Sequence, residues 1–270
     1  MPTPAELRAW PFLSVVAWPE GLDRAGVAQL LAGFGAVDRA TLNLRLGQKP
    51  PMVLDRVDPA AAAAMIAALI ERGGDGFAFT LDDLARLGPT MRIADLAVGE
   101  GTLDIKLHDG LETSIRSATV DVIVRARIVR TVTTINPVRL PMSMSSRPNR
   151  SIESVKDEIR RQTTKDVQTT ELLDLHTNDG SVYQINGRRF GYQALGAMRG
   201  HGDKANMDSM FELLTHICPD AVPDTYYELW RPPPGYQKLR VPGMKGTRQD
   251  RALTFYSRWA ALTYRHVMTT

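Results

Sequence analysis

Two histidines occupy matching places in two similar stretches. His108 follows the run Thr102–Leu107 in TLDIKLHDG, and His176 follows Glu171–Leu175 in ELLDLHTNDG. Imidazole titrates near neutral pH, so either ring, set beside Asp109 or Asp174, could shuttle a proton or ligate a metal. The two are 68 residues apart and carry no metal-site spacing, so polar hairpin residues are the plainer reading. His216 and Cys218 are two apart, and residues at that spacing do not face each other on a helix. A buried structural thiol is expected at Cys218. It is the only cysteine in 270 residues, so neither an internal disulfide nor a Cys-based zinc site can form. Gly196–Gly202 (GAMRGHG) spaces its glycines like a nucleotide loop but lacks the strand–loop–helix context. No Walker loop, dinucleotide fingerprint or nucleophile elbow occurs. The sequence therefore predicts no cofactor, no metal and no catalytic residue.

Positive charge is the remaining chemistry. The chain carries +3 overall, but residues 1–90 hold 8 Lys and Arg against 10 Asp and Glu, and the excess lies beyond them. Residues 139–165 hold 7 basic and 3 acidic side chains, and residues 231–251 hold 6 and 1. In the second segment Lys238, Arg240, Lys245, Arg248 and Arg251 are interleaved with Tyr236 and with prolines. Such patches attract phosphate, so this segment is the expected anion site for nucleic acid or a phospholipid headgroup. A solvated loop is the plainer reading.

The elements that must position these residues begin with a strand at Phe12–Trp18. Asp23 caps a helix bearing Val27, Leu30, Leu31 and Phe34, which Gly35 ends. Leu42, Leu44 and Leu46 alternate with polar residues and predict a strand, and Met52–Val57 predicts another. Asp58-Pro59 starts a second helix, and Phe77, Phe79 and Leu81 predict a last strand. This β-α-β-β-α-β order resembles the ferredoxin-like split βαβ motif, and residues 1–88 are expected to fold as one such domain. RNA-binding members of that fold stack bases on aromatic side chains of the open face, but Met52–Val57 has no aromatic.

Gly88-Pro89 marks a boundary, after which the pattern is β-rich. Strands are expected at 91–98, 102–107, 111–115 and 120–132. Arg125 and Arg127 make one face of the last strand half polar. Asp109-Gly110 and Asn178-Asp179-Gly180 each predict a hairpin turn, because Gly takes a left-handed backbone without steric cost. Residues 134–170 are read as a flexible insertion with a short helix near 152–161. Strands then resume at Glu171, with a further one at 188–192. Asn206 is the expected cap of a helix carrying Met207, Met210, Phe211, Leu214 and Ile217. Hairpins closed by one amphipathic helix resemble the pleckstrin-homology-like barrel over about 91–218. The same order fits another small barrel, or a split sheet packed on a helix. Residues 223–270 are read as a basic Pro/Gly-rich tail with a terminal helix near 251–268.

The expected fold class is therefore α+β. Hydrophobic content of 43% and charged content of 23% are those of a globular protein. The N-terminus lacks a basic region followed by an apolar core, and no apolar run is long enough to span a bilayer. A cytoplasmic binding or scaffold module with a protein partner is the leading expectation. A nucleic-acid accessory protein using the basic segments, and an enzyme with a site between the domains, are the alternatives.

Overall fold

A computed structural model of the chain describes residues 9–138, 160–233, 236 and 246–270. The chain divides into two compact units, Met1–Arg127 with Glu171–Thr270, and Ile128–Thr170. Among the described residues the first unit contains the smaller sheet, most of the larger sheet and six α-helices, and the second contains the remaining lengths of two long strands.

The N-terminal sheet has three antiparallel strands in the order β2-β1-β3, with β1 at Phe12–Ala17, β2 at Met52–Arg56 and β3 at Asp75–Phe79. Helices α1 (Arg24–Ala32), α2 (Arg39–Arg45), α3 (Pro59–Ile70) and α4 (Leu81–Arg86) accompany it. The expected strand at Leu42–Leu46 is α2 instead. Asp38 caps it, accepting from the Thr41 amide at 2.9 Å and the Thr41 hydroxyl at 2.6 Å. Three alternating leucines fit both periods, because Leu42 and Leu46 are also one helical turn apart. Those two are buried while Leu44 is exposed, which is the helical choice. Leu81 likewise belongs to α4, which opens with a capping box between Thr80 and Asp83. The N-terminal part is thus α+β with three strands, and the four-strand ferredoxin-like order does not form.

The second sheet has seven strands in the order β10-β7-β8-β9-β4-β5-β6. Its strands are β4 (Thr90–Val98), β5 (Thr102–Leu107), β6 (Glu112–Arg116), β7 (Val120–Val138), β8 (Arg160–Thr177), β9 (Val182–Asn186) and β10 (Val222–Asp224). Both expected hairpins form, with Gly110 at φ 88° and Gly180 at φ 92°. The barrel does not, because β6 and β10 remain as separate edges. β4 pairs parallel to β9 and β10 parallel to β7, so the sheet is mixed and open. Residues 188–192 form no strand, and β10 supplies the seventh. β8 already begins at Arg160, ahead of the expected restart at Glu171; residues 139–159 lie outside the described set.

A helix covers each face of this sheet. Side chains alternate along a strand, so β7 and β8 send successive residues to opposite faces. Ile123, Leu173 and Leu175 pack with Met207, Met210 and Leu214 of α5 (Asp203–Ile217). Val122 and Val124 pack with Phe255, Tyr256 and Trp259 of α6 (Arg248–Thr269). Gly202 holds the N-cap position of α5, and Asn206 sits inside the helix with its side-chain oxygen accepting from the Gly200 amide at 2.7 Å. Phe12, Phe79 and Leu84 of the N-terminal part also pack on α6, and Trp259 donates its indole N–H to Ser14 Oγ at 3.0 Å. The terminal helix is thus core to both sheets. No helix among the described residues is long and apolar enough to cross a membrane.

Candidate functional site

Strand alternation sets two polar constellations on opposite faces of β7 and β8. On the α6 face, β8 contributes Asp174 and His176, and α6 contributes Ser257 and Arg258. All four are at most 3% exposed. Ser257 Oγ lies 2.7 Å from His176 Nε2, and Gln184 Nε2 donates to Asp174 Oδ1 at 2.8 Å. Burial pulls the His176 imidazole down to about 3, with the Arg265 and Arg258 charges adding to it. Burial raises the Asp174 carboxyl, against the Ser257 and Gln184 hydrogen bonds and the Arg258 charge.

These are the residue types of a hydrolytic triad in the wrong order. In a triad the carboxylate orients the imidazole through Nδ1. Here no carboxylate does so: His176 Nδ1 is buried without a hydrogen-bond partner. The tautomer with its proton on Nε2 lets the ring donate to Ser257 Oγ. Nδ1 is then a bare acceptor, which is cheaper to bury than an unpaired N–H. Arg258 completes the cluster by donating to the carbonyls of Leu84 at 2.9 Å and Gly88 at 3.0 Å. A sealed imidazole that is neutral at pH 7 and has no route to solvent ties α6 to β8; it has no access to a substrate.

On the α5 face, the same strands contribute Arg125 and Arg127 from β7 and Glu171 from β8. They line a groove of about 320 Å³ together with Ala126, Lys204, Thr225 and Glu228. Glu171 is 6% exposed and stands between the arginines, with Oε2 3.7 Å from Arg125 and Oε1 3.6 Å from Arg127. Arg125 also pairs with Asp208 of α5, and its guanidinium lies over the Phe211 ring at 5.8 Å. Arg125 is therefore fully engaged. Arg127 is not: its side chain is 44% exposed, and among the described residues it meets only Glu171, beyond hydrogen-bond distance. Lys204 and Glu228 are exposed and have no side-chain partner among the described residues. The groove thus offers two unsatisfied cations and one unsatisfied carboxylate, held by a buried frame.

The five residues expected to bind an anion are only partly described. Lys238, Arg240 and Lys245 lie outside the described residues. Arg248 and Arg251 occupy the first turn of α6, where Arg248 Nε donates to the Tyr236 hydroxyl at 3.3 Å. His108 is exposed in the β5–β6 turn, so the two hairpin histidines have opposite environments. Cys218 is fully buried, and burial pushes its thiol up to about 11. No group of three or more His, Cys, Asp or Glu side chains arranged to hold a metal occurs among the described residues. Comparison with known protein families, with characterised proteins and with solved structures finds no match.

Proposed function

We propose that this chain is a non-enzymatic binding module that takes a small polar ligand in the groove of Arg125, Arg127, Glu171, Lys204, Thr225 and Glu228. One observation carries the reading: here charged groups with hydrogen-bonding capacity to spare reach solvent on a rigid frame. Arg125 and Glu171 fix the floor, so Arg127 and Lys204 meet a ligand with part of the ordering already done. The hydroxyl–imidazole pair of Ser257 and His176 is sealed and lacks an orienting carboxylate, which favours binding over hydrolysis.

The test incubates the full chain with a native small-molecule extract and identifies retained compounds by mass spectrometry. Thr225→Trp fills the groove from an exposed wall position and should remove the retained compound while leaving the melting temperature within 1–2 °C (roughly, for a change below 0.5 kcal/mol). Equal retention by the variant would place the binding surface elsewhere.

A further inference from the structure

We infer that the groove selects a compact dianion bearing a hydrogen-bond donor, that is, a small phosphate monoester or a hydroxy dicarboxylate. This rests on the groove being the ligand site. Both chemistries present the same pattern to the protein: two negative charges close together, and a hydroxyl or amine a few atoms away.

Charge balance supplies the first step. Arg125 is consumed by Glu171 and Asp208, and Glu171 also leans on Arg127. What remains is the outer part of the Arg127 guanidinium and the Lys204 ammonium, neither with another partner among the described residues. Two uncommitted cations against the one carboxylate of Glu228 leave a net positive charge, and the two cations can each meet one charge of a dianion, which favours it over a neutral or cationic guest. Arg adds planar, two-point recognition, and Lys adds a mobile point charge. The local backbone adds to this. Lys204 is the second residue of α5, whose N-cap, Gly202, offers no side-chain acceptor, so the positive end of the helix is open beside the lysine. Asp203 in the same turn offsets part of that field.

Glu228 supplies the second step. An exposed carboxylate without a partner penalises a bare anion but accepts a hydrogen bond from a hydroxyl or ammonium. It should therefore separate a hydroxylated phosphate ester from sulfate, a dianion with no proton to donate. Size and lining supply the third. A volume of about 320 Å³ suits a molecule of modest size, and none of the described lining residues is aromatic, so they offer no ring on which a nucleobase would stack.

The experiment is calorimetric titration of the full chain with sn-glycerol 3-phosphate, malate, sulfate and 1,3-diaminopropane. Saturable binding of glycerol 3-phosphate or malate, tighter than sulfate and lost in Thr225→Trp, is expected; which of the two binds more tightly identifies the source. Arg127→Ala and Lys204→Ala should each weaken it about tenfold, as one charge-assisted hydrogen bond is lost. Glu228→Gln should narrow the gap between the ester and sulfate by improving the latter. If the diamine binds and Thr225→Trp blocks it, the groove is the ligand site and the dianion assignment is wrong. If Arg127→Ala and Lys204→Ala leave ester binding unchanged, the assignment is also wrong. If no probe shows binding sensitive to Thr225→Trp, and no retained compound does either, both readings fall together.

Discussion

One strand, β8, feeds two very different polar sites. Glu171 points to the α5 face and Asp174 and His176 to the α6 face, because neighbouring residues of opposite parity leave a strand on opposite sides. The two faces then diverge. The α6 face is closed by an aromatic layer of Phe255, Tyr256 and Trp259, so its polar groups have only one another and the nearby backbone as partners, and His176 Nδ1 and Arg258 Nε are left without one. The α5 face is closed only in its middle, by Met207, Met210 and Leu214; toward Arg127 the cover stops and the charges meet water. Side-chain chemistry does not distinguish a structural polar cluster from a binding site here, since both contain an arginine and a carboxylate. What distinguishes them is whether a helix covers the face, and hence whether hydrogen-bonding capacity is left over.

The comparison predicts the largest loss of stability on the sealed side. Arg258→Met removes both donors to the Leu84 and Gly88 carbonyls and the charge facing Asp174, at a cost of about 3–5 kcal/mol. Urea denaturation reads this as a lower midpoint at unchanged slope. A loss below 1 kcal/mol would mean that water reaches the cluster.

Acid should act through His176. Its folded imidazole titrates at about 3 and the unfolded one near 6.5, so the unfolded chain binds the extra proton between these values. The contribution is complete above pH 6.5 and is lost as pH falls toward 3, at up to about 1.4 kcal/mol per pH unit. Asp174 works in the opposite sense, since a carboxyl raised on folding is least unfavourable when protonated. The two separate by comparing the pH dependence of wild type with that of His176→Asn: the variant should lose less stability between pH 6.5 and 4. Equal slopes would show that His176 is hydrated and titrates normally.

Much of this framework is legible in the sequence, and the limits have physical causes. Asp109-Gly110 and Asp179-Gly180 announce their hairpins because a positive φ is a local demand that few residues meet. The α6 aromatic face is visible at helical spacing, but its length of chain reads as a tail. Only the folded protein brings Phe255 and Trp259 against Phe12 and Val124. The strand expected at 42–46 fails because three leucines cannot separate a period of two from a turn of helix, and the deciding Asp38 cap is a one-residue signal. The parallel pairings of β4 with β9 and β10 with β7 are long-range and leave no local trace. As for the groove, Arg125 and Arg127 stand out as polar positions on an otherwise apolar strand. Glu171, Lys204, Thr225 and Glu228 do not, since each is ordinary in its own segment and acquires meaning only from β7 lying beside it.

Glu171 sharpens the comparison because it shares a property with each side: it is buried like Asp174 but lines the groove like Arg127. Its carboxylate stands 3.6–3.7 Å from two guanidinium groups, without a direct hydrogen bond to either. Arg125 keeps Asp208 if Glu171 is neutralised. Glu171→Gln should therefore cost about 1 kcal/mol, between the two regions. A cost near that of Arg258→Met would assign Glu171 to the structural frame alone.

The smallest effect belongs to the open end of the groove. Arg127 is 44% exposed and its one ion pair is long, while Lys204 is exposed and has no ion pair among the described residues. Exposed pairs of this kind contribute little, because water screens the attraction and holding two long side chains costs entropy. Removing Arg127 even relieves nothing in the core, since Glu171 retains Arg125 on its other oxygen. Arg127→Ala and Lys204→Ala, singly or together, should shift unfolding free energy by less than about 0.5 kcal/mol, measured by urea titration at pH 7. The double variant is the decisive one. If it is as stable as wild type, these two cations are not needed to hold the fold and are available to a ligand. If it loses about 2 kcal/mol or more, Arg127 and Lys204 are structural, and the contrast between the sealed and open faces of β8 collapses.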